Sequence, residues 1–106
     1  MNKDKKDRWE YIICQLEAIR QEKGITQKQI CNQLNLKQPN VAKFFGCEIR
    51  PNLESIFNIA DVLGVEIILK DKSGDIDMIK INELAKNKID LLIIKKRIAK
   101  INDVLS

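Results

Sequence analysis

Histidine is missing from this chain of 106 residues. That excludes imidazole acid–base catalysis and the common zinc sites built on histidine. Cysteine is scarce and odd in number: Cys14, Cys31 and Cys47. Their wide spacing fits no paired-cysteine metal knuckle, and an odd count does not suggest a disulfide framework. The expectation is reduced thiols in a cytoplasmic protein. Aromatic residues are 5% of the chain, so the core must come from aliphatic side chains. No apolar run is long enough for a leader or a membrane span, and no membrane association is expected. There is no phosphate-cradling glycine-rich loop and no carboxylate cluster at catalytic spacing, so no enzyme, no cofactor and no metal site are expected.

Against these absences, 44% of residues are hydrophobic and 32% are charged, which is ample for a small core. The formal net charge of +4 is unevenly spread. Residues 24–50 hold Lys28, Lys37, Lys43 and Arg50 against Glu48 alone. Residues 51–70 lean acidic, with Glu54, Asp61 and Glu66 against Lys70. A basic segment of this kind suits phosphate contacts.

Apolar periodicity divides the chain into helices. Trp9, Ile12, Ile13, Leu16 and Ile19 make one stripe on a helix over about residues 7–23, behind a charged start at 1–8. Gly24 ends it, with Lys23 in the last turn. Thr26 and Gln29 have capping-box spacing and open a second helix over 27–34, with Ile30, Cys31 and Leu34 inward. Asn35 tolerates the left-handed backbone that a sharp corner needs. Leu36 is expected to anchor that corner in the core. A third helix begins near Gln38, with Pro39 in its first turn, Val41 and Phe44 inward, and Gly46 as its end. After the loop Arg50-Pro51-Asn52, a fourth helix carries Leu53, Ile56, Phe57, Ile59, Ala60 and Leu63 and stops at Gly64.

Val65-Glu66-Ile67-Ile68-Leu69 is rich in β-branched residues and predicts a short strand. Lys72-Ser73-Gly74-Asp75 predicts a turn or hinge. The last segment, 80–105, has Leu84, Leu91, Ile98 and Leu105 seven residues apart, with Ile94 and Ile101 three residues after Leu91 and Ile98. This is an a/d seam with Asn87 at one position. Ile81, Ala85, Ile89 and Leu92 widen the apolar face, which predicts packing against a body rather than a bare two-stranded coil.

The two short helices and their corner, Thr26 to Phe45, form a helix-turn-helix layout. Residues 16–65 resemble the Cro/C1-type (XRE) helix-turn-helix family without a gap. The resemblance is carried by Leu16, Ile19-Arg20, Gly24-Ile25-Thr26-Gln27, Ile30, Leu34, Leu36, Gln38, Val41, Pro51, Leu53-Glu54, Ile56, Ile59-Ala60 and Leu63-Gly64-Val65. It implies a mainly α, lambda-repressor-like bundle, here followed by a short strand and a long C-terminal helix. It further implies a homodimer on a palindromic site, with the third helix in the major groove.

Position by position, Gln27 matches the residue that holds a phosphate at the start of the second helix. Gln38 matches the first base-reading position, where glutamine can pair with adenine. Asn40 and Lys43 occupy the other outward positions, and Pro39 lies between them and Gln38. Arg50 matches a loop residue that approaches the backbone, while Lys28 and Lys37 add phosphate charge. Six positions depart from the pattern. Pro39 and Ala42 replace residues that are often polar and base-facing, which thins the reading surface. Cys31 stands where alanine is common, and Lys37 replaces the usual capping hydroxyl. Phe45, a candidate exposed partner contact or a half-buried residue, and Cys47 replace a common Glu and Gly.

The strand resembles the antitoxin-like branch, where it can pair with its two-fold mate. The implied dimer interface is Ile67 and Leu69 with Leu84, Leu91, Ile94, Ile98, Ile101 and Leu105. The expected organisation is a DNA-binding domain at 7–66, strand and hinge at 67–79, and a dimerisation helix at 80–106. The function expected is a transcriptional regulator, a repressor, on double-stranded DNA. The alternative is an antitoxin or adapter that binds a protein partner through residues 67–106.

Overall fold

A computed structural model describes residues 8–105. Five helices follow in order: α1 (Arg8–Glu22), α2 (Gln27–Leu34), α3 (Gln38–Phe45), α4 (Leu53–Leu63) and α5 (Met78–Leu105). The chain divides into two units, one ending at Ile67 and the other starting at Ile68. The expected charged start lies outside the described residues, apart from Arg8.

In the first unit, α1 packs on α3 and α4, and α2 packs on α3 and α4. The centre is aliphatic: Ile13, Ile30, Val41 and Leu63 are fully buried, one from each helix. Each such side chain contributes about 1.5–3 kcal/mol of burial. Leu16, Phe44, Ile56, Ile59 and Ala60 complete the cluster, and Cys31 fills a small buried position within it.

The helix ends are set by local hydrogen bonds. Thr26 and Gln29 form the expected capping box: the Gln29 N–H donates to Thr26 Oγ1 at 3.1 Å, and the Thr26 N–H donates to Gln29 Oε1 at 2.8 Å. Asn52 caps α4 by accepting from the Ser55 N–H at 2.8 Å. The four helices of this unit close alike, with a left-handed residue just past the end and an N–H reaching back five residues. The backbone bonds are Ile25 to Arg20, Leu36 to Cys31, Glu48 to Lys43 and Val65 to Ala60. The left-handed residues are Gly24, Asn35, Cys47 and Gly64.

Gly46 ends α3 as expected, with φ −81°, and the left-handed turn falls one residue later, on Cys47 at φ 56°. One expectation about the core needs correction. Leu36 does not anchor the corner in the core, because it is 44% exposed. Of the two alternatives for Phe45, burial holds: it is 8% exposed, with its ring edge-on to Phe44 at 5.0 Å between centroids.

The predicted strand at 65–69 is absent, as is any strand among the described residues. β-Branched residues favour an extended chain, but a strand exists only through a hydrogen-bonded partner, and none is present for this segment. Ile67 and Leu69 therefore lose the strand basis for their interface role.

In the second unit, Asp71 organises a turn at the expected place. It accepts from Ser73 Oγ at 2.6 Å and from the Asp75 N–H at 3.0 Å. These donors, the serine hydroxyl first, hold its carboxyl below the usual carboxylate range. Asp77 then accepts from the Ile79 N–H at 3.1 Å and opens α5, two residues before the expected start. α5 has 28 residues and buries none of them.

Candidate nucleic-acid interface

The corner between α2 and α3 takes three residues, Asn35 to Lys37, the length of a helix-turn-helix turn. Asn35 adopts φ 54° and ψ 47°, which reverses the chain without a glycine. Packing of α2 on α3 fixes their mutual orientation.

On α3, Val41, Phe44 and Phe45 turn inward. The helical period then sends Pro39 and Lys43 to the opposite side, with Gln38, Asn40 and Ala42 on the flanks. All five are exposed. Lys28, Lys37 and Arg50 are also exposed, and Gln27 is half-buried. Among the described residues, no side-chain hydrogen bond or ion pair engages Gln27, Lys28, Lys37, Gln38, Asn40, Lys43 or Arg50. Their donors and acceptors are available to a ligand.

The first turns add backbone donors. The positive end of the α2 dipole lies at Gln27 and Lys28, a favourable place for an anion. α3 differs, because Lys37 is its N-cap and provides no side-chain capping bond. The expectation of a weaker start holds, and a cation now sits at a helix N-terminus, where its intrinsic dipole interaction is unfavourable.

Two features were not anticipated from the residues. The first is a strut built on Arg20, previously only one of the residues carrying the resemblance. Its Nε donates to Glu17 Oε2 at 2.9 Å, and its Nη1 donates to the Ile25 carbonyl at 2.9 Å. Its guanidinium lies 5.4 Å from the Phe45 ring centroid. One side chain thereby links α1 to the start of α2 and to the end of α3. The Glu17 carboxyl is lowered, first by its hydrogen bond with Arg20, and the Arg20 guanidinium is raised by the same bond. The sequence carried no local signal for this strut, because residues 20 and 45 meet only in the folded chain.

The second feature is a shallow apolar groove of about 240 Å³ beside α3. Asn40 and Lys43 line it together with Leu36, Ile49, Pro51 and Ser55. Ile49 is 61% exposed there. The structure thus brings Asn40 and Lys43 to one rim and sets exposed apolar surface beside them. Lys23 provides a further tie by donating to the Leu63 carbonyl at 2.7 Å, which joins the C-terminal ends of α1 and α4.

The fold and the exposed α2–α3 pair define a helix-turn-helix protein. A family model described as helix-turn-helix matches residues 16–69, and the chain belongs to that family, the Cro/C1 (XRE) type. The match contains all of α2, α3 and α4. No curated protein and no solved structure matches the chain. Membership implies DNA binding and a role in transcription regulation. No helix among the described residues is long and apolar enough to cross a membrane.

Proposed function

We propose that this protein is a sequence-specific reader of double-stranded DNA that acts as a homodimer on a palindromic operator and represses transcription there. The observation that carries this reading is the set of exposed, unengaged polar side chains on α2 and α3. In this reading α3 enters the major groove. Gln38 pairs with an adenine edge, Asn40 reads the neighbouring pair, and Lys43 donates to a base or a phosphate. Gln27, Lys28, Lys37 and Arg50 hold the backbone, and Pro39 stiffens the first turn of the reading helix. Leu36 and Ile49 offer apolar surface to a thymine methyl. Residues 7–66 form the DNA-binding domain, 67–79 a connector and 80–106 the dimerisation segment. A two-fold pair of such domains reads half-sites about 34 Å apart.

A shift assay against genomic fragments tests the reading. Gln38→Ala should weaken the specific site by about 1–3 kcal/mol, roughly 5- to 150-fold, while non-specific binding changes little. Lys28→Ala should weaken all sequences alike and lower the salt dependence by about one counterion per protomer. Unchanged specific binding in both Gln38→Ala and Lys43→Ala would show that α3 does not read bases.

A second reading has its own support in the exposed apolar length of α5. There the protein is an antitoxin or adapter, and α5 holds a different protein. Co-purification from native cells separates the two. A stoichiometric second protein that is lost on deleting residues 80–106 favours the adapter, and a clean homodimer favours the first reading.

A further inference from the structure

We infer that α5 associates with α5 of a second copy as a parallel, in-register coiled coil. This rests on the homodimer reading above and specifies its geometry. The seam has Leu84, Leu91, Ile98 and Leu105 at a, with Ile94 and Ile101 at d. These side chains are each about half exposed or more in the single chain. An apolar stripe of this length needs a cover, and the charges beside it indicate which.

Five charged residues flank the seam. Glu83, Asp90 and Arg97 occupy g, and Lys88 and Lys95 occupy e. In a parallel pair, each g residue faces the e residue five positions later on the other chain. That sets Glu83 against Lys88 and Asp90 against Lys95, while Arg97 faces the neutral Asn102. Two-fold symmetry repeats both charged pairs, so four opposite-charge contacts flank one coil. Among the described residues, none of the four side chains in these pairs has a hydrogen bond or ion pair within its own chain. They remain available to a second helix.

The antiparallel arrangement with the fullest seam overlap gives a worse pattern. There Lys88 faces Lys95, twice, which offsets two Asp90–Arg97 contacts and leaves no net gain against the four of the parallel form. The amide of Asn87 also faces the aliphatic side chain of Ile98. In the parallel arrangement Asn87 meets its own copy, and an amide pair can satisfy both side chains. A polar layer of that kind specifies register. The parallel form also brings both helix-turn-helix units to the same end of the coil, as binding to a two-fold operator requires. Leu at three a positions with Ile at d shifts preference toward more than two strands in this same parallel register. The apolar residues outside the seam are compatible with the higher number.

The test uses the full chain with Cys14, Cys31 and Cys47 replaced by alanine, after checking that the helical content is retained. Chains carrying Asn87→Cys are mixed with differently tagged chains carrying Ile98→Cys, then oxidised mildly. Like-with-like disulfides are expected, and disulfides between unlike chains would overturn the parallel register. In parallel, E83K/D90K chains and K88E/K95E chains are prepared in the native-cysteine background. Each should self-associate several-fold more weakly than the parent, and an equimolar mixture should recover the parent's affinity. Sedimentation provides the mass. Two or four chains with like-with-like disulfides support the inference. A two-chain mass with no disulfide and no response to charge reversal overturns the coil while leaving the homodimer reading intact. A monomer at all concentrations overturns both.

Discussion

α4 and α5 are both rich in Ile and Leu, yet they meet opposite fates. α4, with 11 residues, buries Ile56, Ile59, Ala60 and Leu63; α5, with 28, buries none. The difference lies in arrangement rather than content. The buried residues of α4 recur at three- and four-residue steps and leave the other side polar, so one stripe fits one core. In α5, Leu91, Leu92, Ile93 and Ile94 are consecutive and therefore point to every side. No single neighbour can cover them. α5 is long enough for local helical hydrogen bonds to sustain much of it, whereas an eight-residue helix such as α2 depends on tertiary packing.

The strongest way to break this contrast is a matched pair of truncations. Ile30→Ala removes a fully buried side chain and should cost about 3 kcal/mol. Leu92→Ala removes an exposed one outside the α5 seam and should change stability by less than about 0.5 kcal/mol. Urea unfolding at low protein concentration measures both, followed through the fluorescence of Trp9, which packs against the core. A cost for Leu92→Ala near that of Ile30→Ala would show that α5 is covered in solution on that side too.

The polar contacts sharpen the same contrast. The bundle uses the Glu17–Arg20 pair to tie three helices, while the flanking charges of α5 make no such contact among the described residues. Glu17 has its folded-state carboxyl pKa depressed, so its contribution is fully present above the unfolded value near 4.5. It is lost as pH falls through the folded value. The parent should exceed Glu17→Gln in stability by about 1 kcal/mol at pH 7, the order of one charge-assisted hydrogen bond. That gap should narrow steadily below about pH 5 and close in strong acid. Thermal melts of both proteins between pH 7 and pH 3 check the sign. A gap that stays constant across this range would mean that Glu17 acts through packing rather than through its charge.

Much of the bundle was legible because its signals are local. The Thr26/Gln29 spacing, the aliphatic periodicity and Asn35 at the corner each encode a bond or a torsion within a few residues. What was not legible depends on contacts far apart in the chain. Leu36 is apolar, so periodicity places it inside, but nothing nearby says that the corner stands away from the core. Phe45 is buried because Arg20 and Phe44 meet its ring, and only the folded chain brings residue 20 to residue 45. Cys47 gives no local sign of a left-handed torsion; the family's usual glycine at that position was the available hint. Residues 65–69 have the composition of a strand, but composition cannot provide the partner that a strand requires. For the interface, the reading residues were legible as outward positions of α3, while the Leu36–Ile49 groove was not, because it spans a loop.

The smallest effect expected comes from the two helix starts of the reading motif. α2 begins with a complete capping box, whereas α3 begins at Lys37 with no side-chain cap. Lys37→Ser would supply a hydroxyl and remove a cation from a helix N-terminus. The gain is limited by Pro39, which has no N–H to donate. The nearby Asn40 N–H is the remaining target for a cap, and it already reaches the Lys37 carbonyl at 3.0 Å. The variant should therefore be more stable by only about 0.5 kcal/mol, at the low end of capping effects. If Lys37 is a phosphate contact, the same variant binds DNA more weakly, with a salt dependence lower by about one counterion per protomer. Stability and affinity then move in opposite directions. An unchanged salt dependence alongside the stability gain would remove Lys37 from the interface and leave its cation as a cost to the helix with no return in binding.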